Sequence, residues 1–377
     1  MDFDISEEQM MTRDMVREFA KKEICPRAAE IDSTGSFPRE NLQKIAEKGL
    51  MGIPFPTEYG GAGSDYMSMI LAVEELSYAC ASTGFIVSVH TLAAANPIHV
   101  FGTSELKKKY LVPLAKGEKI GAIGYTEPNA GSDAAAIETR VQLRGDKYIL
   151  NGTKAFITNA SEADTYLVFA TVDPEKKHKG IQAFIVEKGS TGFSFGKIED
   201  KMGVRGCSTG ELIFEDCEVP KENLLSQDGF KVAMMAFEGG RVGVAAMAVG
   251  IARAALDKAK KFAKERIQFG QPIARQEAIQ FMIADMATEI EGARLLTYRA
   301  AWLMDKNERF STQAGMAKTF AAETAVRTAI KAVQIHGGYG YCKEYEVERH
   351  MRDAKMAEIA EGTSEIQRLI IARSELG

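Results

Sequence analysis

The spacing of apolar residues along this chain changes period twice, and that change is the strongest constraint on its fold. From Ser6 to about Cys80 apolar residues recur at helical spacing, as in Met10, Met11, Met15, Val16 and Phe19, with Ser6 placed to cap the first helix. Pro38 opens a second helix closed by Gly49. Residues 56–64 are dense in turn formers, and further helices are expected over Asp65–Cys80, Gly84–Ala95 and Ser104–Ala115. After Lys119 the period falls to 2. Short β-rich runs follow at 140–144, 147–150, 165–171, 181–186 and 211–215, the first two joined by a Gly145-Asp146 hairpin turn. From Gly229 the helical period returns, with long segments near 230–265, 275–305 and 311–336. The layout predicts an α+β protein: an N-terminal all-α domain over 1–119, a middle antiparallel β-barrel or sandwich domain over 120–225, and a C-terminal four-helix bundle over 226–377.

Composition removes several classes of function. With 47 Lys+Arg against 52 Asp+Glu, the net charge of −5 offers no basic field for a nucleic acid or an anionic membrane. Four acids lie in the first ten residues, where a secretory or transit peptide needs basic and apolar ones. The most apolar run, Val242 to Ala252, stops at Arg253, short of the roughly 20 residues of a membrane span. Five cysteines without C-x-x-C spacing suit a reducing, cytoplasmic setting, and five histidines without an H-E-x-x-H pair provide no metal ligand set. No Rossmann, P-loop or G-x-S-x-G pattern occurs, so a bound nucleotide must use another design.

Four segments carry more than local structure requires. Gly124-Tyr-Thr-Glu-Pro-Asn-Ala-Gly-Ser-Asp133 leaves a strand into a loop of small residues that either makes an ordinary Asx/Gly turn or holds a planar ring or phosphate. In Lys154–Asn159, Phe156 and Thr158 alternate as on a strand, facing either a flat cofactor or the barrel core. Gln334–Tyr341 has three Gly in four residues where a helix cap needs one. In Glu361–Gln367 a capping box of Ser364 with Gln367 accounts for those two residues and leaves Glu361 free. A carboxylate placed after apolar Ile359 and Ala360 would be partly desolvated and its pKa raised, which suits proton abstraction.

Together, and in this order, the four segments closely resemble the acyl-CoA dehydrogenase family, from the first helix to Arg373. Thr126–Asp133 matches the family's first signature, with Tyr125 in place of the usual small aliphatic residue. Gln334, Gly337, Gly338, Gly340, Glu344, Arg349 and Asp353 match its second. The overall likeness is to short-chain, butyryl-CoA-type members.

The resemblance implies a bound FAD between the middle domain and the bundle. Tyr125 and Thr126 are then expected at the pyrimidine side of the flavin, Phe156 on the ring, Thr158 near N5, and Ser132 at the phosphates or the pantetheine arm. Arg266 and Phe269, with Gln334 and Gly338 of a neighbouring chain, would hold the ADP half, with Thr363 and Glu365 close by. Glu361 occupies the catalytic-base position: it takes the α-proton while the β-hydride passes to N5, and its backbone N–H polarises the thioester carbonyl. Some relatives carry the base at the position of Gly240, which here leaves Glu361 as the candidate.

Phe237, Glu238 and Arg241 match positions near the base and the CoA, as does Gly362. Ala360 stands where most short-chain members have Tyr, which removes an aromatic wall. Phe85, Val89 and His90 are expected to line the acyl pocket, although His90 equally suits a buried structural role. With Gly84 or Phe85 near the position of the decarboxylating members' Arg, decarboxylation is not expected.

Electron-transferring flavoprotein is the implied electron acceptor, and a homotetramer built as a dimer of dimers the implied assembly. The alternatives are enoyl-CoA reduction in an electron-bifurcating complex, and an acyl-CoA oxidase, a class that usually carries an added C-terminal domain.

Overall fold

The computed structural model describes residues 5–377; the acids Asp2 and Asp4 of the opening segment lie outside the described residues. Helices α1 (Glu7–Phe19), α2 (Ala28–Thr34), α3 (Arg39–Glu47), α4 (Tyr66–Ala79) and α5 (Ala81–Ser88) lead into a wider-wound stretch, Val89–Ala95, and then α6 (Asn96–Phe101), α7 (Ser104–Leu106) and α8 (Val112–Ala115). Ser6 caps α1 through a full capping box with Gln9, as its position predicts. Helix α4 begins at an acidic pair: Asp65 accepts from the Ser68 N–H, while Asp305, far along the chain, accepts from the N–H groups of Tyr66 (2.6 Å) and Met67 (3.1 Å).

The middle segment holds β1 (Gly121–Gly124), β2 (Arg140–Arg144), β3 (Lys147–Thr158), β4 (Thr165–Thr171), β5 (Ile181–Glu187), β6 (Phe193–Ile198), β7 (Thr209–Pro220) and β8 (Leu224–Ser226). Their order is β6-β7-β3-β2-β4-β5-β8, with β1 beside β4. Most pairs are antiparallel, but β1 runs parallel to β4 and β2 touches β4 in parallel at Arg140–Thr171, so the sheet is mixed rather than wholly antiparallel. Strands β3 and β7 extend well beyond the expected runs because each carries bulges that interrupt the alternation of period 2.

The C-terminal segment consists of α9 (Gly229–Glu265), a short β9–β10 ribbon at Ile267–Pro272, α10 (Glu277–Asp305), α11 (Ser311–His336), α12 (Val347–Ala357) and α13 (Ser364–Leu376). Helices α9, α10 and α11 pack on one another, and α12 and α13 close against α11. Every residue of α9 from Gly239 to Ala252 is buried, since α4 and α5 cover the side that α10 and α11 leave open. Two helical segments, 81–101 and 229–265, each contain an apolar window as long as a membrane span, longer than the Val242–Ala252 run alone; 83% and 78% of those windows are buried inside the protein, as expected of core helices.

A buried charge cluster ties the first helices to the bundle. Glu74 and Glu75 of α4, at 2% and 3% exposure, accept from Arg253 of α9 at 2.7 and 2.8 Å. Arg17 of α1 reaches Glu75, and Arg294 and Tyr298 of α10 reach Glu74. Two carboxylates this deep require such neutralisation to stay charged.

Candidate active site

The Glu361 turn is built from strained backbone. After α12 the chain folds back, and Glu361 (φ 55°) and Gly362 (φ 89°) both adopt left-handed conformations. For a residue with a Cβ that geometry costs about 1–2 kcal/mol, so the surroundings must hold it. They do so through its carbonyls: Gln367 Nε2 donates to the Glu361 oxygen at 3.1 Å and the Gly362 oxygen at 3.0 Å. Lys318 Nζ donates to the Gly362 oxygen at 2.8 Å, and Arg241 Nε approaches the Glu361 oxygen at 3.4 Å. The predicted Ser364–Gln367 capping box is not formed. Thr363 caps α13 by accepting from the Ile366 N–H, and Gln367 turns inward to the two carbonyls.

The side chain of Glu361 lies on α9 at Gly240. A Cβ added at Gly240 would stand 2.7 Å from the Glu361 carboxyl carbon and 2.8 Å from Oε2, so any side chain there would displace the carboxyl from this position. Burial pushes the carboxyl up to about 7, against the opposing pull of the Arg241 and Lys318 cations. Arg241 is itself 6% exposed. The Glu361 N–H has no partner among the described residues.

On the middle-domain side, the loop after β1 is pinned by an ion pair that sequence reasoning did not find. Lys154 Nζ meets Glu127 Oε1 at 2.6 Å with the two side chains 0% and 4% exposed, and Glu127 also accepts from the Glu138 and Thr139 N–H groups. The ammonium holds the Glu127 carboxyl below its ordinary range, while burial draws Lys154 down to about 8.

Tyr125 is buried with its hydroxyl donating to the Ala134 carbonyl, and its ring packs at 5.0 Å on both Phe169 and Phe237. Its side chain is therefore committed to the protein, which leaves the backbone of Tyr125 and Thr126 as the part of this loop that a flavin edge could meet. The Thr126 carbonyl accepts from the Ala155 N–H, and Ser132 is exposed.

Phe156 does not alternate with Thr158 as on a regular strand. It sits at the bulge between Lys154 and Ile157 with φ 57° and is 66% exposed, which removes the barrel-core reading; Thr158 beside it is half-buried.

A groove of about 570 Å³ gathers several of the other predicted residues: Arg266, Phe269 and Gly338, together with Phe262, His336 and Tyr339. Phe269 is 93% exposed at φ 51°, and the Arg266 guanidinium lies over the Tyr339 ring at 5.3 Å. Gln334 is exposed on the last turn of α11, which also leads into this groove, whereas Glu361 is not part of its lining. Thr363 and the exposed Glu365 belong to the Glu361 turn.

Phe85 and Val89 are buried. On the same helical stretch Ser88 and Leu92 pack against α9 at Gly243, one turn beyond Gly240; helical spacing did not show that these two residues face α9. His90 is excluded from direct ligand contact: it is 0% exposed, its Nδ1 accepts from the Gly121 N–H and its Nε2 bonds the Leu114 carbonyl. Burial lowers its pKa to about 4, so it is a neutral brace. Phe237 bridges α9 to the Tyr125 loop, Glu238 is half-buried near Arg241, and Ala360 is half-buried beside Glu361.

Sequence comparison supplies the context for this geometry. Residues 6–118, 122–217 and 227–376 match the N-terminal, middle and C-terminal domains of acyl-CoA dehydrogenase. The chain belongs to the acyl-CoA dehydrogenase family. It is 54% identical over 374 residues, 99% of each chain, to a short-chain-specific acyl-CoA dehydrogenase of Clostridium acetobutylicum. Its structure superposes with TM-score 0.98 at 45% identity, covering both chains fully, on butyryl-CoA dehydrogenase from Megasphaera elsdenii. It also superposes with TM-score 0.99 at 53% identity and full coverage on a chain from work on the electron-transferring flavoprotein of Acidaminococcus fermentans and flavin-based electron bifurcation.

Acyl-CoA dehydrogenases are oxidoreductases that carry FAD. The residues present fit that cofactor. Phe156 offers an exposed ring beside Thr158, and the groove supplies a fixed cation, Arg266, of the kind that complements pyrophosphate.

Proposed function

We propose that this acyl-CoA dehydrogenase family member removes the α-proton and β-hydride of a short acyl-CoA thioester, giving the trans-2-enoyl-CoA. The observation that carries the reading is Glu361: a carboxyl lodged on Gly240 with its pKa lifted to about 7 is a proton acceptor matched to neutral pH. Its own unpartnered N–H is a donor for the thioester carbonyl, where enolate charge develops as the proton leaves. FAD, when bound, supplies the two-electron acceptor for the β-hydride.

On this reading Phe156 and Thr158 face the flavin, the Thr126–Ser132 loop lies over it, and Arg266, Phe269, Gln334 and Gly338 hold its ADP half across a subunit boundary. The apolar side chains left exposed on α10, α11 and the ribbon, among them Phe269, Phe281 and Trp302, favour a homotetramer. We place the enzyme in the cytoplasm with electron-transferring flavoprotein as its electron acceptor. The likeness to the chain from the Acidaminococcus fermentans work favours one second reading, enoyl-CoA reduction in a bifurcating complex.

The deciding experiment is anaerobic mixing of the FAD-loaded protein with butyryl-CoA. The wild type bleaches its flavin, and Glu361→Gln still binds the thioester but reduces flavin about 10² to 10⁴ times more slowly. Reduction by Glu361→Gln at more than a tenth of the wild-type rate overturns the assignment.

A further inference from the structure

Glu361 stands on left-handed backbone, and one of the side chains bonded to its turn is a lysine that the proposed reaction does not otherwise use. Lys318 lies in the Ala-rich first third of α11, its side chain 0% exposed. A buried ammonium is expensive unless it has a partner. Its one protein hydrogen bond is to the Gly362 carbonyl at 2.8 Å, the residue after the base. Gln367, from α13, reaches the Glu361 and Gly362 carbonyls from another helix, and a Cβ at Gly362 would stand 2.8 Å from the Gln367 Nε2. The turn is thus clamped between α11 and α13 while the Glu361 carboxyl rests on α9.

We propose that Lys318 is a positioning residue for the catalytic base: by donating to the Gly362 carbonyl it fixes the left-handed Glu361–Gly362 turn that seats the Glu361 carboxyl on Gly240. The inference rests on Glu361 being the base. Lys318 also acts on Glu361 through its charge. The cations facing that carboxyl are Arg241 from α9 and Lys318 from α11, and both favour its ionised form. Lys318 in turn feels Glu361, Glu358, Glu365 and Arg241, and Arg241 feels Glu361 and Glu238. Lys318 therefore does two separable things: a hydrogen bond sets direction and a charge sets acidity.

Three variants of the FAD-loaded enzyme separate them, read by the pH dependence of flavin reduction with butyryl-CoA. Lys318→Met loses bond and charge; we expect the limiting rate to fall about 10- to 100-fold with little change in KM, and the acid-limb midpoint to rise by about one pH unit. Lys318→Gln keeps a neutral donor; it should retain most of the rate while its midpoint rises equally, and it carries the test if Lys318→Met does not hold FAD. Gln367→Leu leaves the charge in place; it should lose rate with the midpoint unmoved. A lysine that only stabilises the fold would lower FAD content and melting temperature without moving the midpoint, and that result in the 318 variants overturns the proposal. Glu361→Gln, run alongside, tells the two failures apart. Residual activity above a tenth in it sinks the base assignment, whereas an inactive Glu361→Gln beside a Lys318→Met enzyme of unaltered rate and midpoint sinks the positioning role alone.

Discussion

The carboxyl of Glu361 and the α-carbon of Gly240 are in such close contact that a single methyl group on Gly240 would overlap the carboxylate. Gly240 lies in the interior of α9, where glycine is about 1 kcal/mol worse than alanine for the helix. Gly240→Ala therefore sets helix propensity against the seat of the base. The variant should fold with its melting temperature at or above that of wild type and lose at least about tenfold in kcat/KM, because the carboxyl must move. Unchanged kcat/KM would show that the contact is incidental.

The raised pKa of Glu361 predicts two opposite pH trends. As a base it must be ionised, so the rate of flavin reduction should rise with pH through a midpoint near 7. Stability runs the other way. The folded-state value of about 7 lies above the ordinary 4.5, so the native protein holds this proton more tightly than the unfolded chain. That contribution is complete below pH 4.5 and is lost as pH rises to 7. The melting temperature of Glu361→Gln relative to wild type should therefore climb across pH 4.5–7 and level off above it; a constant difference would contradict the burial of the carboxyl.

Ala360 precedes Glu361, the proposed base, and is half-buried. Refilling the space with Ala360→Tyr should depress kcat/KM for the bulkiest accepted acyl-CoA well beyond its effect on butyryl-CoA, at about 1–3 kcal/mol per misfitted methylene. An equal loss on linear, branched and cyclic substrates would place the effect on the base instead of the pocket.

The Lys154–Glu127 pair lies 0% and 4% exposed beneath the loop that follows β1. Removing one partner strands the other charge, so Lys154→Met should cost about 3–5 kcal/mol, lower the melting temperature by several degrees and weaken FAD retention. The double variant Lys154→Met/Glu127→Gln should regain much of that loss. Thermal melts of the two proteins side by side decide it, and an equally unstable double variant would mean the pair is not the cause.

If the groove at Arg266, Phe269 and Gly338 holds part of an FAD bound mainly by another chain, cofactor and assembly are linked. Stripping FAD should loosen the homotetramer, and Arg266→Ala should weaken both together. A monomer of about the chain's 41.2 kDa by light scattering, with one FAD still bound, would rule this out.

What the sequence made legible was whatever repeats along it. The long helices α9, α10 and α11 fall within two residues of the periodic segments, and Ser6 caps α1 as its position suggests. Glu361 stood out as a candidate because a motif isolated it, and the fold seats it against Gly240. Where a bulge broke the period, the pattern misled: Phe156 reads as one step of an alternation but stands exposed on left-handed backbone. Pairings between distant residues left no local trace. Lys154 with Glu127 and Lys318 with Gly362 are joined only by the fold, and His90 disclosed its two backbone partners only once β1 lay beside it. The one hint was compositional, a lone lysine inside the alanine-rich stretch from Ala314 to Ala322.

The cluster at Glu74 and Glu75 also constrains the order in which a ribosome can deliver a native protein. Of the guanidinium groups that neutralise these carboxylates, only Arg17 precedes them; Arg253 and Arg294 emerge more than 170 residues later. At ordinary rates of synthesis that interval is on the order of ten seconds or more, during which α4 has Arg17 alone of its charge partners and lacks the wall of α9 to pack against. The N-terminal third should then wait, unsettled and open to chaperones, for helices encoded far downstream. Chains stalled on the ribosome before Arg253 should be cut by protease within 66–79, and protection of that stretch at so short a length would show that the first helices settle alone.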